Sequence, residues 1–307
     1  MTFRPVLVVV LGPTGVGKTD LAVRIAQRIG AEILSADSRQ LFKELKIGTA
    51  APAQKQLATV KHHFIGSHSI FDNYSAGQYE IDVINILNKI FDNQKVALLV
   101  GGSMMYIDAV CKGIDNIPNV DEKTREYWNE IYRNNGLEYI QNRLQELDPK
   151  HFNEQIDIKN HKRIIHALEI CTITGRPFSE IRTGKIAKRN FDIIKIGINL
   201  PREILYQNIN DRVDKMIANG LIDEAKNLYR HKTLNTLNTV GYKELFESFD
   251  GKISLETAIE HIKRDTRHYA KKQLSWFGRD KEITWFSPNQ EEAISVFLQK
   301  NDVIFYY

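Results

Sequence analysis

The sequence predicts an α/β protein in which helices cover a parallel sheet, with an all-helical domain inserted into that core. Three observations support this fold class. Apolar segments of strand length alternate with amphipathic segments of helix length up to residue 101. A polar, charge-rich segment then interrupts the alternation, and strand and helix patterns resume after it. The length of 307 residues agrees with two domains.

The first β-α-β unit opens the chain. Its first strand is predicted at Pro5–Leu11, where Val8 to Val10 suit a strand buried on both faces. Apolar residues then recur at helical spacing until Gly30, a residue type that commonly ends a helix. Two further strands are predicted at Glu32–Ser35 and Lys95–Val100.

The inserted helical domain is predicted at residues 118–190, so that residues 1–117 and 191–307 form the two parts of the core. Apolar residues within the insertion stand at helical spacing before a break at Asp148-Pro149. The second part of the core is predicted to hold a strand at Phe191–Leu200 and helices at Glu203–Tyr229 and Leu255–Phe277.

Composition argues against a disordered or membrane-spanning chain. Hydrophobic residues make up 42% and charged residues 26% of the sequence, as in folded proteins. The longest apolar run, Val6–Leu11, is too short to cross a bilayer. Cys111 and Cys171 are too few for a disulfide framework and predict packed, reduced thiols. We therefore expect a cytoplasmic protein with no membrane association.

The positive charge is concentrated in two segments. The net charge is +4, yet residues 158–190 hold eight Lys and Arg against two acids, and residues 261–281 hold seven against two. Such patches are typical of proteins that neutralise phosphates. Ordinary solvated helix faces that happen to be basic are the alternative.

A phosphate-binding motif follows the first strand. The pattern is G-x-x-x-x-G-K-[ST], formed by Gly12, Pro13, Thr14, Gly15, Val16, Gly17, Lys18 and Thr19. Backbone N–H groups of such a turn face an anion, the lysine adds a charge, and the Thr19 hydroxyl can bind Mg²⁺. The motif predicts a P-loop NTPase-like core, nucleotide or diphosphate binding, and Mg²⁺ as cofactor.

An ordinary nucleotide hydrolase is disfavoured. Such an enzyme needs an acid at the end of a hydrophobic strand to hold Mg²⁺. Here the strand at Lys95–Val100 ends in Gly101-Gly102-Ser103. The P-loop is therefore expected to hold a diphosphate that leaves and is not itself hydrolysed.

One acid does stand at a strand end. Asp37 follows the strand at Glu32–Ser35, and the carboxyl ends of parallel strands open onto one crevice, so Asp37 should face the P-loop. A carboxylate there could accept a proton from a nucleophile. The alternative is an aspartate that only caps the next helix.

Several motifs in order give the chain its family resemblance. Besides the P-loop they are Ser35-Ala36-Asp37-Ser38, Lys46-Ile47-Gly48-Thr49-Ala50, His62-His63, Val100-Gly101-Gly102-Ser103, Gly241-Tyr242-Lys243-Glu244 and Thr266-Arg267-x-Tyr269-Ala270-Lys271-Lys272-Gln273-x-x-Trp276-Phe277. With them the chain resembles tRNA dimethylallyltransferases from about residue 5 to about residue 285. It departs from that pattern at Ser103, where threonine is common.

The resemblance implies transfer of a dimethylallyl group from its diphosphate to N6 of the adenine 3′ of the anticodon. It implies that Asp37 and Ser103 are catalytic and that Arg212 joins the P-loop at the diphosphate. Its partners would be dimethylallyl diphosphate and a tRNA anticodon stem-loop, and nothing in the sequence demands more than a monomer. The residues expected to bind tRNA are Asp37, Ser38, Arg39, Gln40, Ser103, Arg125, Lys162, Arg163, His166, Arg267 and Lys271.

Some residues keep a second interpretation. An ion pair with Glu122 is the alternative to an RNA contact for Arg125. Core packing is favoured over RNA stacking for Tyr269 and Trp276. His62-His63 would point to opposite faces of an extended segment, so a metal site there is rejected.

Two other function classes stay open at this stage. One is an isopentenyltransferase or kinase that acts on a free adenine nucleotide, for which a basic helical insertion is not required. The other is a non-catalytic RNA-binding P-loop protein, which would not need Asp37 beside Lys18 and Ser103.

Overall fold

The structure is a computed structural model that describes residues 4–115, 117–154 and 156–305. It divides into two compact units. The first comprises residues 1–111 and 188–307, and the second comprises residues 112–187. These boundaries lie a few residues before the ones that the sequence predicts, 118 and 190.

The first unit is built on one parallel sheet of six strands in the order β3-β2-β4-β1-β5-β6. The predicted parallel sheet is thereby confirmed. In chain order the strands are β1 (Val6–Leu11), β2 (Ile33–Ala36), β3 (His62–His63), β4 (Val96–Gly101), β5 (Asp192–Ile198) and β6 (Ile283–Phe286).

Helices surround this sheet or make up the second unit. The described residues form α1 (Lys18–Ile29), α2 (Gln54–Thr59), α3 (Ala76–Phe91), α4 (Met104–Lys112), α5 (Glu122–Leu147), α6 (Pro149–Glu154), α7 (His161–Thr174), α8 (Phe178–Ile181), α9 (Arg202–Ala218), α10 (Leu221–Leu228), α11 (Tyr242–Phe249), α12 (Leu255–Phe277) and α13 (Glu291–Lys300). None of the described helices is long and apolar enough to cross a membrane.

The central strands are buried because both faces of the sheet are covered. In β1, Leu7 and Val9 pack into one hydrophobic core, whereas Val8 and Val10 pack into the other. All six residues of β1 are buried, as are all six of β4. This two-sided burial explains why the strands lack polar residues.

The order of the strands brings three loops together. Strands β2, β4 and β1 are neighbours, and Gly101 is in register with both Ala36 and Leu11, so the three strands end at the same level. Asp37 follows β2, Gly102-Ser103 follows β4, and the P-loop follows β1. All three segments therefore leave the carboxyl edge of the sheet side by side.

The second unit has a core of its own. Residues such as Trp128, Ile140 and Leu168, from α5 and α7, pack together in it. Gly136 has φ +78° and kinks α5. The predicted break at Asp148-Pro149 is confirmed, because α5 ends at Leu147 and α6 begins at Pro149.

One local expectation was wrong, and two short strands were missed. The single helix expected at Glu203–Tyr229 is two helices, α9 and α10, because the chain turns at Gly220 with φ +97°. The short edge strands β3 and β6 were not predicted. The helix at Leu255–Phe277 is confirmed, and the two cysteines are buried thiols as expected.

Candidate active site

The P-loop makes the turn between β1 and α1. Gly17, with φ +91°, is the residue before α1, and the helix begins at Lys18. The Lys18 Nζ donates hydrogen bonds to the backbone oxygens of Gly12 and Pro13, at 3.0 and 2.7 Å. Burial, reinforced by the nearby Arg212, lowers the pKa of Lys18 to about 7.

Two cavities meet above the carboxyl edge of the sheet. The first, which we call the P-loop cavity, is lined by Lys18, Thr19, Ser35 and Gln40 among others. The second, the Ser103 cavity, is lined by residues that include Ser38, Arg39 and Ser103. Four residues line both cavities and form a common wall: Thr14, Asp37, Arg212 and Tyr269.

Asp37 stands in this common wall with one carboxylate oxygen engaged. Its Oδ1 accepts hydrogen bonds from the backbone N–H groups of Arg39 at 2.9 Å and Gln40 at 3.2 Å. Oδ2 accepts no hydrogen bond from any residue that the structure describes. Asp37 thus caps a turn, not a helix as the alternative had it, and this capping leaves its second oxygen available to a ligand.

Ser103 is buried beside Asp37 and held by Ser38. Its Oγ accepts a hydrogen bond from the Ser38 backbone N–H at 2.8 Å and donates one to the Ser38 Oγ at 3.2 Å. The Tyr269 side chain lines the same cavity as Ser103. The hydroxyl therefore lies in a defined place at the edge of the common wall.

Positive charge dominates the two cavities. Burial lowers the pKa of Arg212 and that of Arg39, in each case against the opposing effect of Asp37. With Lys18, these groups place three cations around one carboxylate. Buried like charges raise the free energy of one another. Binding of an anion such as a diphosphate would therefore stabilise these three cations.

The side chains of Arg39 and Gln40 are held by backbone carbonyl groups of other segments. Arg39 Nη1 donates to the Thr236 backbone oxygen at 3.0 Å, and Gln40 Nε2 donates to the Thr49 oxygen at 3.3 Å. These two side chains line different cavities, Arg39 the Ser103 cavity and Gln40 the P-loop cavity.

Two residues of α12 belong to the site although the sequence analysis did not place them there. Tyr269 is 37% exposed, so the core interpretation was wrong for this residue. Burial and the nearby Asp37 raise its pKa to about 12, so the phenol stays protonated at neutral pH. Gln273 is buried and bonded to both Thr14 and Gly102. The available signal in the sequence was the position of Gln273 four residues after Tyr269, which puts both side chains on one face of α12.

The basic residues of α12 differ in their surroundings. Arg267 donates to the Asn210 side chain at 2.7 Å, whereas Lys271 is exposed. Arg264 pairs with Asp265 at 2.9 Å. Trp276 is half-buried against the core and donates to Asp108 at 2.8 Å, which confirms the packing interpretation for this residue.

In the second unit, α7 presents Lys162, Arg163 and His166 on its exposed face. Arg125 of α5 and His166 share one partner, the buried Glu169, at 3.6 and 3.4 Å. The predicted alternative, an ion pair between Arg125 and Glu122, is therefore wrong. The exposed cations at Lys162 and Arg163 have no acidic partner in the described part of this unit.

Thr19 lines the P-loop cavity, and its hydroxyl has no hydrogen-bond partner among residues 4–115, 117–154 and 156–305. A free hydroxyl in a phosphate-binding turn fits a Mg²⁺ ion that takes its other ligands from phosphates and water.

His62 and His63 have partners other than a metal: His62 Nδ1 contacts the Val60 oxygen at 2.8 Å, and His63 Nε2 contacts Glu32 at 2.6 Å. The described residues contain no cluster of three or more His, Cys, Asp or Glu side chains suited to a metal.

Comparison with known sequences yields one family. Residues 40–280 match the family model described as IPP transferase. The chain is 51% identical over 293 residues to tRNA dimethylallyltransferase 1 of Bacteroides fragilis strain YCH46, which covers 95% of this chain and 97% of the relative. It is also 51% identical over 280 residues to tRNA dimethylallyltransferase of Christiangramia forsetii, over 91% of this chain and 92% of the relative.

Solved structures agree with the sequence relatives. The full-length tRNA isopentenylpyrophosphate transferase of Bacillus halodurans has a TM-score of 0.71 at 32% identity and covers 97% of this chain and 96% of its own. A eukaryotic dimethylallyltransferase described as acting on tRNA has a TM-score of 0.75 at 26% identity, over 92% of this chain and 74% of its own.

Proposed function

Because the chain belongs to the IPP transferase family, we propose that it is a tRNA dimethylallyltransferase. It transfers a dimethylallyl group from dimethylallyl diphosphate to N6 of the adenine 3′-adjacent to the anticodon. The observation that carries this function is the wall common to the P-loop cavity and the Ser103 cavity. A donor in the first cavity and an acceptor in the second would meet at Asp37.

The donor half of the site is made of cations. Lys18 and Arg212 hold the diphosphate, and Lys18 exchanges its bonds to the Gly12 and Pro13 oxygens for bonds to phosphate oxygens. When the bond between C1 of the dimethylallyl group and the diphosphate oxygen breaks, its electron pair leaves with the diphosphate. Both cations then stabilise the negative charge that develops there, in a cavity where water screens little.

The acceptor half removes a proton. The N6 lone pair forms the new bond to C1, and the resulting ammonium loses a proton to Asp37 Oδ2. Oδ1 stays bonded to the backbone of Arg39 and Gln40, which keeps the carboxylate in place during this transfer. Ser103, held by Ser38, hydrogen-bonds the same base and orients its amine.

We also propose Mg²⁺ as cofactor, with Thr19 as its protein ligand. When bound, the ion supplies positive charge that favours the departure of the diphosphate. The unpartnered Thr19 hydroxyl in the P-loop cavity supports this assignment.

The tRNA is bound by charge outside the cavities. Lys162, Arg163 and Lys271 are exposed and suited to backbone phosphates, which dominate affinity for RNA. The adenine must leave its stack before N6 reaches Asp37, and Arg39 and Ser103 offer it polar contacts in exchange. Action as a monomer stays a prediction.

Transfer of label tests the function directly. Purified protein is incubated with labelled dimethylallyl diphosphate and Mg²⁺, and either tRNA or AMP is offered. Label is expected in tRNA and not in AMP. A matched tRNA with guanine in place of the adenine next to the anticodon should accept none. Labelling of AMP alone would instead identify an enzyme of free nucleotides.

A further inference from the structure

Two of the sequence motifs have been given no role of their own so far, although residues of both line the Ser103 cavity: Lys46 to Ala50, and Gly241 to Glu244. The structure joins them through Glu224, a half-buried residue in the first turn of α10. The Glu224 carboxylate accepts hydrogen bonds from three consecutive backbone N–H groups, those of Lys46 at 3.1 Å, Ile47 at 2.9 Å and Gly48 at 3.0 Å.

A fourth donor to the same carboxylate is Tyr242. Its hydroxyl donates to Glu224 Oε1 at 2.7 Å, and the ring is fully buried. Burial and the carboxylate raise the pKa of Tyr242, which keeps the phenol a donor. The hydroxyl end of the ring also packs closely against Gly48, where a Cβ atom would lie 2.5 Å from the hydroxyl oxygen and 2.6 Å from Cζ. Glycine is therefore the residue that lets the loop approach Tyr242.

The loop held in this way, residues 45–51, adopts a conformation that it would not choose alone. Ala50 has φ +45°, in the left-handed region that residues other than glycine rarely adopt. The Thr49 hydroxyl donates to the Leu45 oxygen at 2.7 Å within the same loop. Such a backbone persists only where its surroundings determine it, and Glu224 supplies three of those constraints through its hydrogen bonds to consecutive N–H groups.

This conformation directs one carbonyl group, that of the buried Thr49, toward Arg212. The Thr49 oxygen accepts a hydrogen bond from Arg212 Nη2 at 3.1 Å and another from Gln40 Nε2 at 3.3 Å. It is the only backbone or side-chain acceptor for the Arg212 guanidinium among the described residues. The position of Arg212 in the common wall thus depends on where the loop places Thr49.

We propose that Glu224 and Tyr242 are positioning residues for the transfer reaction, which set the place of Arg212 against the departing diphosphate by holding the loop at residues 46–50. This inference rests on the proposed function. Glu224 lines neither cavity, and Tyr242 lines the Ser103 cavity but donates its hydroxyl to Glu224. Their action passes from the carboxylate to the loop backbone, from the Thr49 oxygen to the guanidinium, and from the guanidinium to the leaving group.

The test uses two substitutions and a matched control in the full chain. Glu224→Gln keeps the size but puts an amide N–H against backbone donors, and Tyr242→Phe removes only the hydroxyl. Asp223→Asn, at the exposed neighbour on α10, makes the same acid-to-amide change without a loop contact. Both test variants should lose roughly 10- to 100-fold in kcat/KM for dimethylallyl diphosphate, as small misplacements of a reacting group do. The control should not.

Affinity for tRNA separates this role from general damage. Because phosphate contacts dominate that affinity, Glu224→Gln should change the Kd for tRNA by less than about threefold. An equal loss of tRNA and donor affinity would contradict the proposal. If Glu224→Gln does not fold, as circular dichroism would report, Tyr242→Phe carries the test.

A double-mutant cycle with Arg212→Gln decides whether the effect passes through Arg212. In the Arg212→Gln variant, the further substitution Glu224→Gln should lower kcat/KM for dimethylallyl diphosphate by less than about threefold, because the group that Glu224 positions is gone. If the losses in kcat/KM of the two single variants multiply in the double variant, the proposal is overturned.

The same cycle can be measured without transfer, by titrating wild type and the three variants with inorganic pyrophosphate and Mg²⁺ in a calorimeter. If pyrophosphate binds and the cycle shows coupling while no tRNA is labelled, the proposed function fails, and what stands is that Glu224 positions Arg212 at a diphosphate site. If tRNA is labelled and the cycle shows no coupling, only the positioning role fails.

Discussion

Gln273 fastens the P-loop to the turn after β4: its Oε1 accepts a hydrogen bond from the Thr14 backbone N–H at 2.9 Å. The Nε2 of the same side chain donates to the Gly102 oxygen at 2.8 Å. The fit is tight, because a Cβ atom on Gly102 would lie 2.3 Å from that nitrogen. One amide therefore sets the spacing of two loops that line the site.

Replacement of Gln273 should damage both stability and transfer. Gln273→Ala leaves the half-buried Thr14 N–H and the buried Gly102 carbonyl without partners, at up to about 1–3 kcal/mol each. We expect the free energy of unfolding to fall by roughly 2 kcal/mol or more in urea titrations. Lys272→Ala, at the exposed neighbour on α12, is the control and should stay within about 0.5 kcal/mol of wild type. Equal stability of the two variants would show that the amide does not link the loops.

Substitutions of Asp37 separate proton transfer from orientation. Asp37→Asn keeps an oxygen for the backbone N–H groups of Arg39 and Gln40 but cannot hold the proton. Loss of a positioned base costs on the order of 10²–10⁴-fold in rate. Single-turnover rates of Asp37→Asn and Asp37→Ala should both fall in that range, with near-normal binding of tRNA and diphosphate. Near-normal transfer by Asp37→Asn would eliminate the base, and a drop in melting temperature before any loss of rate would point to capping alone.

Burial of Lys18 lowers the free energy of unfolding by an amount that depends on pH. Its folded-state pKa of about 7 lies below the ordinary value of 10.5, so the unfolded chain binds more protons between these pH values. Stability due to this group therefore rises with pH from about 7 to about 10.5, and the cost is fully present below pH 7. The slope is at most about 1.4 kcal/mol per pH unit.

Lys18→Met removes that titration. We expect the variant to be more stable than wild type at pH 6.5, and the difference to shrink as the pH is raised to 9, in urea titrations without diphosphate. The same variant should lose pyrophosphate binding in calorimetry. Parallel stability curves for the two proteins would refute the lowered pKa.

Salt dependence tests the exposed cations of the second unit. Neutralising a phosphate contact reduces the slope of log affinity against log salt by about one unit. Arg163→Gln should do so for tRNA, because Arg163 is exposed and has no acidic partner in the described part of that unit. Lys300→Gln, near the amino-terminal edge of the sheet, should leave the slope unchanged. A flat salt dependence in wild type would make the basic segments ordinary solvated faces.

What the sequence could predict is local. The P-loop, Asp37 and Ser103 each follow a strand directly, and the common edge of a parallel sheet brings such residues together without further knowledge. The strands themselves were recognisable because β1 and β4 are continuous apolar runs. The short β6, with Trp285 37% exposed, carries no such signal.

What the sequence could not predict depends on contacts between distant segments. Gln273 lies 171 residues from Gly102, and Glu224 lies 176 residues from Gly48, so no spacing rule relates them. Tyr269 was placed in the core because an aromatic residue on an amphipathic helix most often packs there. Only the tertiary structure directs this face of α12 to the cavities.

The common wall of Thr14, Asp37, Arg212 and Tyr269 ties the two substrates together energetically. Each ligand that fills one cavity dehydrates and immobilises groups that the other ligand also meets, so the two binding events share part of their free energy. Thermodynamic linkage then makes the effect reciprocal. By whatever factor pyrophosphate alters the affinity for RNA, RNA alters the affinity for pyrophosphate by the same factor.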